Sequence, residues 1–151
     1  MRMILGLLMA VMLTLGVVET SYAASNENNP HVLCVDLGSL SADGVVKMGA
    51  IVGKSAVVQS VQLWNGAAIA ASDTNYVQLE LKKGSTVVAE LDSRAAHENG
   101  VAQDVLEALN VVSAAKTIAS GELITVNYNE TDAGTNVALT AALLCMQYVV
   151  K

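Results

Sequence analysis

The chain has 151 residues, 53% of them hydrophobic and 15% charged, and eight Lys+Arg against fourteen Asp+Glu give a net charge of −6. That size allows one domain with a core of its own. The charge argues against nucleic acid as a partner and against electrostatic attraction to an anionic membrane. No metal and no cofactor is expected.

Residues 1–23 read as an address. Arg2 gives a positive start, Ile4 to Val18 is an uncharged apolar run, and Ser21 and Ala23 are small residues before a cleavage point. This is the layout of a secretory signal, helical and removed after Ala23. The run is short for a spanning helix, which needs about twenty apolar residues. An uncleaved anchor is the alternative, and it is the only expected contact with a membrane. Residues 24–30 then form a polar arm ending at Pro30, the single proline.

From His31 onward, apolar runs alternate with turn signals such as Asp43-Gly44, Asn65-Gly66, Lys83-Gly84, Ser120-Gly121 and Ala133-Gly134. His31 to Leu37 is the first run. Val57, Val61 and Leu63 mark a strand. In Tyr76 to Lys82, Val77, Leu79 and Leu81 alternate with Gln78, Glu80 and Lys82, the period of a strand with one buried face. Thr86 to Leu91 repeats the pattern, so the two read as a hairpin. Residues 101–112 fit an amphipathic helix through Val101, Val105, Leu109 and Val112, and also fit a strand over 105–112; strand neighbours favour the strand. Ile124, Val126 and Tyr128 mark another strand. Val137 to Val150 reads as a long strand, buried on both faces or set with one face against a neighbouring subunit. About eight strands in residues 31–151 make an all-β domain, an antiparallel β-sandwich or jelly roll.

Cys34 lies in the first of these runs and Cys145 in the last. An exported chain would allow a bond between them, and closing so long a loop is worth about 4–5 kcal/mol in the chain-entropy model. Two buried free thiols are the alternative.

No catalytic residue is assigned. His97 with Ser93 or Asp92 lacks a nucleophile on a sharp elbow. Glu80, Glu90, Asp92, Glu98, Asp104, Glu107 and Glu122 are scattered over polar positions rather than paired as a glycosidase requires. Asn129 to Asn136 faintly resembles a calcium loop, but Ala133 and Thr140 stand where ligands belong, so a plain hairpin loop is the better reading. Asn129-Glu130-Thr131 matches the glycosylation acceptor pattern. Trp64, beside Asn65-Gly66, either caps its own core or anchors a partner. Asp73, Thr74 and Asn75 read as a turn built by local side-chain hydrogen bonds.

Three segments, in this order and spacing, carry a resemblance over about two-thirds of the chain. They are Ala71-Ser72-Asp73-Thr74-Asn75-Tyr76-Val77-Gln78-Leu79-Glu80-Leu81, then Gly84-Ser85-Thr86-Val87-Val88-Ala89, then Ala119-Ser120-Gly121-Glu122-Leu123-Ile124-Thr125-Val126 with Ala133-Gly134-Thr135 and the ending Gln147-Tyr148-Val149. They resemble small bacteriophage virion proteins of the head-decoration, cement or head-fibre type. The resemblance implies a non-enzymatic β-sandwich subunit, a homotrimer, and a phage major capsid protein as partner, located in the virion. Trp64, Asp73, Thr74, Asn75, Tyr76 and Tyr148 are then the candidate interface residues. The leader departs from that pattern, since phage shells assemble in the cytosol. The alternative is an exported surface or periplasmic binding module with the same fold.

Overall fold

The computed structural model describes residues 29–95, 100–131 and 137–151. The signal-like segment 1–23, nearly all of the polar arm, His97, Glu98 and positions 132–136 lie outside the described residues. Ten strands follow in chain order: β1 (Pro30–Leu40), β2 (Gly44–Ala50), β3 (Ala56–Trp64), β4 (Tyr76–Lys83), β5 (Thr86–Asp92), β6 (Leu106–Ala108), β7 (Asn110–Val111), β8 (Thr117–Ile118), β9 (Leu123–Thr131) and β10 (Leu139–Val150). No α-helix occurs among the described residues.

The strands form two sheets, and every pairing is antiparallel. The first has the order β1-β10-β3-β6, with β8 also on β3. The second runs β2-β9-β4-β5-β7. One cluster of buried side chains joins them. It takes Val61, Leu63, Leu144 and Met146 from the first sheet and Leu79, Leu81, Ile124, Val126 and Tyr128 from the second. Period-two alternation puts these residues on one face of each strand and leaves the intervening ones outside.

The expected hairpin is β4–β5, with Glu80 opposite Glu90 and Leu79 opposite Leu91. Gly84 turns it at φ +55°, a conformation that costs glycine no steric penalty. The expected strand over 105–112 is broken in two. β6 lies on β3 in the first sheet, β7 lies on β5 in the second, and Leu109 between them is buried. A segment that leaves one sheet for the other changes which side chains face inward, so its apolar residues follow neither a clean strand period nor a helical one.

β10 is central in its sheet, between β1 and β3. Of the two alternatives for this strand, burial on both faces is corrected: Leu139, Ala142, Leu144 and Met146 are buried, whereas Leu143 is 39% exposed. Only one side of a sheet faces the core here. Pro30, read as the end of the arm, is the first residue of β1; its missing N–H is tolerated at the start of an edge strand.

Candidate interaction surface

The outer face of the first sheet is the most distinctive surface on the molecule. Strand register sets Leu106 beside Trp64, Trp64 beside Leu143, and Leu143 beside Asp36. The next outward row is Ala108, Gln62, Cys145 and Cys34. Beyond it Gln147 lies opposite Ser60, whose hydroxyl is 3.2 Å from Gln147 Oε1. Leu106 is 58% exposed and Val32, on the same face of β1, 62%. The surface is neutral because β3 and β10 contain no Asp, Glu, Lys or Arg at all. Asp36 stands at its margin and accepts a hydrogen bond from the Gly38 N–H at 2.8 Å. Glu107 of β6 pairs with buried Leu63, so it points to the other face, where it accepts from the Ala102 N–H.

Cys34 and Cys145 are directly opposite in the β1–β10 register and form a disulfide that closes a separation of 111 residues. Their Cα atoms are 4.1 Å apart, matching the close, non-hydrogen-bonded type of antiparallel pair. The bond lies on the outer face, with Cys34 exposed, rather than among core side chains.

The candidate interface residues do not form one site. Trp64 ends β3 on the neutral face. Tyr148 is five positions along β10 from Leu143, the residue opposite Trp64, which is about 17 Å at strand spacing. Tyr148 packs against the core and stacks on His31 with ring centroids 5.5 Å apart, and burial raises its phenol pKa. Tyr76 lies under the Arg94 guanidinium, 5.2 Å from its ring centroid. The turn at Asp73, Thr74 and Asn75 is organised by a residue the sequence did not single out: Ser72 Oγ accepts from the N–H groups of Thr74 and Asn75 at 3.3 and 3.1 Å. Ser72 and Asn75 also border an open groove of about 450 Å³, together with Ala68, Val137, Ala138 and Thr140. Among the described residues no carboxylate or imidazole lines it.

Two of the groups weighed for catalysis, Ser93 and Asp92, are committed to structure. Ser93 is fully buried; its hydroxyl accepts from the Val77 N–H at 2.9 Å, and its own N–H donates to the Val77 carbonyl at 3.0 Å. Burial would raise the Asp92 pKa, but hydrogen bonds from the Arg94 side chain, Gln78 and the Arg94 N–H outweigh it and hold the carboxyl at about 2. Around the loop that faintly resembles a calcium site, Asp43 accepts from the Glu130 N–H and Glu130 accepts from the Val137 N–H. Tyr128, fully buried, donates to the Val137 carbonyl at 2.9 Å. Its pKa is pushed up to about 12, chiefly by burial and further by Glu130 and Asp43. In the described part of that loop the Glu130 carboxylate is thus engaged by a backbone N–H. Among the described residues no cluster of His, Cys, Asp and Glu could hold a metal ion.

Asn65 is the second residue that sequence reasoning read only as a turn. It is fully buried; Oδ1 accepts from the Thr140 N–H at 2.8 Å and Nδ2 donates to the Ala67 carbonyl. It thus fixes the exit of β3, and with it Trp64, to the entry of β10. No protein-family model matches the chain, and no curated protein matches it.

Proposed function

We propose that this protein is a non-enzymatic structural subunit that works by covering a surface. In this reading the two sheets are a sandwich of the jelly-roll type, and the setting is a phage shell, as a decoration, cement or head-fibre subunit. The observation that carries it is the neutral outer face of the first sheet on a chain of net charge −6. Like-charged copies repel in general, so a face with exposed Leu106 and Leu143 around Trp64, and Asp36 as a charge only at its margin, is where close packing costs least. Trp64 is the anchor residue of that face. The test is co-sedimentation of the protein with purified particles. It is expected to travel with shells, and Leu143→Lys is expected to release it while the fold is kept. Recovery only in the periplasm or the medium, free of particles, would overturn the shell setting.

One observation favours a second reading, an exported surface or periplasmic binding module. The Cys34–Cys145 bond is of a kind favoured by an oxidising compartment, and a signal-like segment stands ahead of it. The same fractionation separates the two readings.

A further inference from the structure

The first sheet has one long edge, and the alternation of its hydrogen bonds shows which backbone groups that edge presents. The Leu109 N–H donates to the Val61 carbonyl at 2.9 Å, so Val61 and Leu63 turn their backbone groups toward β6. Gln62 and Trp64 therefore bond β10, which leaves Leu144 and Met146 to bond β1. Opposite those two, Val35 and Leu33 bond β10, and Val32 and Cys34 point their N–H and C=O groups to the open side. The short Cα separation at Cys34–Cys145 agrees independently. Among the described residues β1 pairs with no strand other than β10.

The features that usually close an edge stand only at the two ends of this one. Pro30 lacks an N–H, Asp36 carries a charge, and the register breaks at Gly38. Between them His31, Leu33 and Val35 are only half-buried, with Leu33 and Val35 packed at the rim of the core. An added strand would finish covering them.

We propose that β1 pairs antiparallel with β1 of a second copy, about a two-fold axis at Leu33. This deepens the proposed function by naming the first partner, and it rests on the reading that the protein works by assembly. In that register the Val32 N–H and C=O meet the C=O and N–H of the partner subunit's Cys34, and the reverse. The Asp36 N–H meets the carbonyl of the partner subunit's Pro30, so the position lacking an N–H loses only one bond. The self-complementary register makes a second copy the occupant, and charge within the strand does not oppose it. The single carboxylate of β1 falls opposite a proline, and the strand pairs with itself without setting like charges together. An extended sheet keeps its outer sides aligned, so the two neutral faces become one bivalent surface. Such a pair is two-fold, a dimer in place of the trimer that the phage resemblance implies.

Sedimentation equilibrium on the oxidised protein, purified as the cell processes it, tests the pairing. Wild type is expected at twice the chain mass. Val32→Pro removes an N–H that β10 does not use, and Val32→Lys sets two charges near each other across the axis. Each should weaken dimerisation at least tenfold, with the disulfide and the far-ultraviolet sheet spectrum unchanged. If Val32→Pro fails to fold, Val32→Lys decides, since that side chain is 62% exposed. Val52→Lys, in a loop and 70% exposed, should leave the dimer intact. A monomer at all concentrations, a trimer, or a dimer indifferent to both Val32 variants would overturn the proposal. A monomer that still sediments with shells would sink the edge pairing alone. A Val32-sensitive dimer that never meets shells would sink the shell reading alone.

Discussion

The outer face of the first sheet and that of the second rest on the same strand alternation, yet they meet solvent in different ways. Across β4 and β9 the outward positions are Gln78, Glu80, Lys82, Thr125, Asn127 and Asn129, with Glu90 and Asp92 following on β5. Across β3 and β10 they are Trp64, Gln62, Ser60, Leu143, Cys145 and Gln147. Burial of the inward residues is equally complete on both sides, with Leu81 and Val126 as inaccessible as Leu63 and Met146. The fold therefore does not dictate the outward choice. The second sheet turns a polar, charged side outward, and the first a neutral one with exposed leucines. The means of holding the sheets differ as well. The first is cross-linked between β1 and β10, while the second secures the end of β5 through Asp92 and Arg94.

Removing the cross-link should have the largest effect. Replacing both Cys34 and Cys145 with Ser should lower the unfolding free energy by about 4–5 kcal/mol, from the loop-closure entropy of so long a separation. Urea titration of the double variant against wild type measures it. A loss below about 1 kcal/mol would mean that the first sheet holds β1 by packing alone, and the contrast between the sheets would dissolve.

The matching experiment on the second sheet is Asp92→Asn, expected to cost at most about 2 kcal/mol at neutral pH. Because Asp92 has a lowered pKa in the fold, its contribution is whole above the ordinary value of 3.8 and is lost as pH falls toward about 2. Unfolding curves across that window should converge for wild type and variant. Curves that stay parallel would show that Asp92 contributes packing and not charge.

The smallest change is expected at the Lys82–Glu80 pair, 2.6 Å apart on the outer face of β4. Glu80→Gln should shift stability by less than about 1 kcal/mol, and 0.5 M salt should erase the difference. A larger shift would mean that the charged face is part of what holds the second sheet, and not only a solvated covering.

Alternation made much of the fold legible. Val77, Leu79 and Leu81 could only be a half-buried strand, and their hairpin partner followed from Lys83-Gly84. Strands whose outer residues are also apolar were harder. In β10 the inward Leu144 and outward Leu143 are the same residue type, so sequence could not tell one buried face from two. β2 passed unmarked because Gly44, Lys47 and Gly49 interrupt Val45, Val46 and Met48. The break between β6 and β7 was invisible because a change of sheet leaves no local signal. At the candidate surface, Trp64 could be singled out by its type, but its neighbours Leu143 and Leu106 come from distant strands through register. Asn65 and Ser72 looked like ordinary turn residues. The burial of Asn65 and its bond from the Thr140 N–H depend on where β10 lies, while the Ser72 hydroxyl bonds within its own turn.

The placement of β10 has a consequence for how the molecule comes into being. The strand at the centre of the first sheet is the last in the chain, and both of its neighbours, β1 and β3, are made long before it. The hairpin β4–β5 can close as soon as it emerges, but β1 has no partner until the final residues are free. Completing the first sheet therefore waits for β10, and non-local pairing of this kind is slow. Until β10 is made, Cys34 lies apart from Cys145, so the disulfide marks a late step in building the first sheet and not an early one.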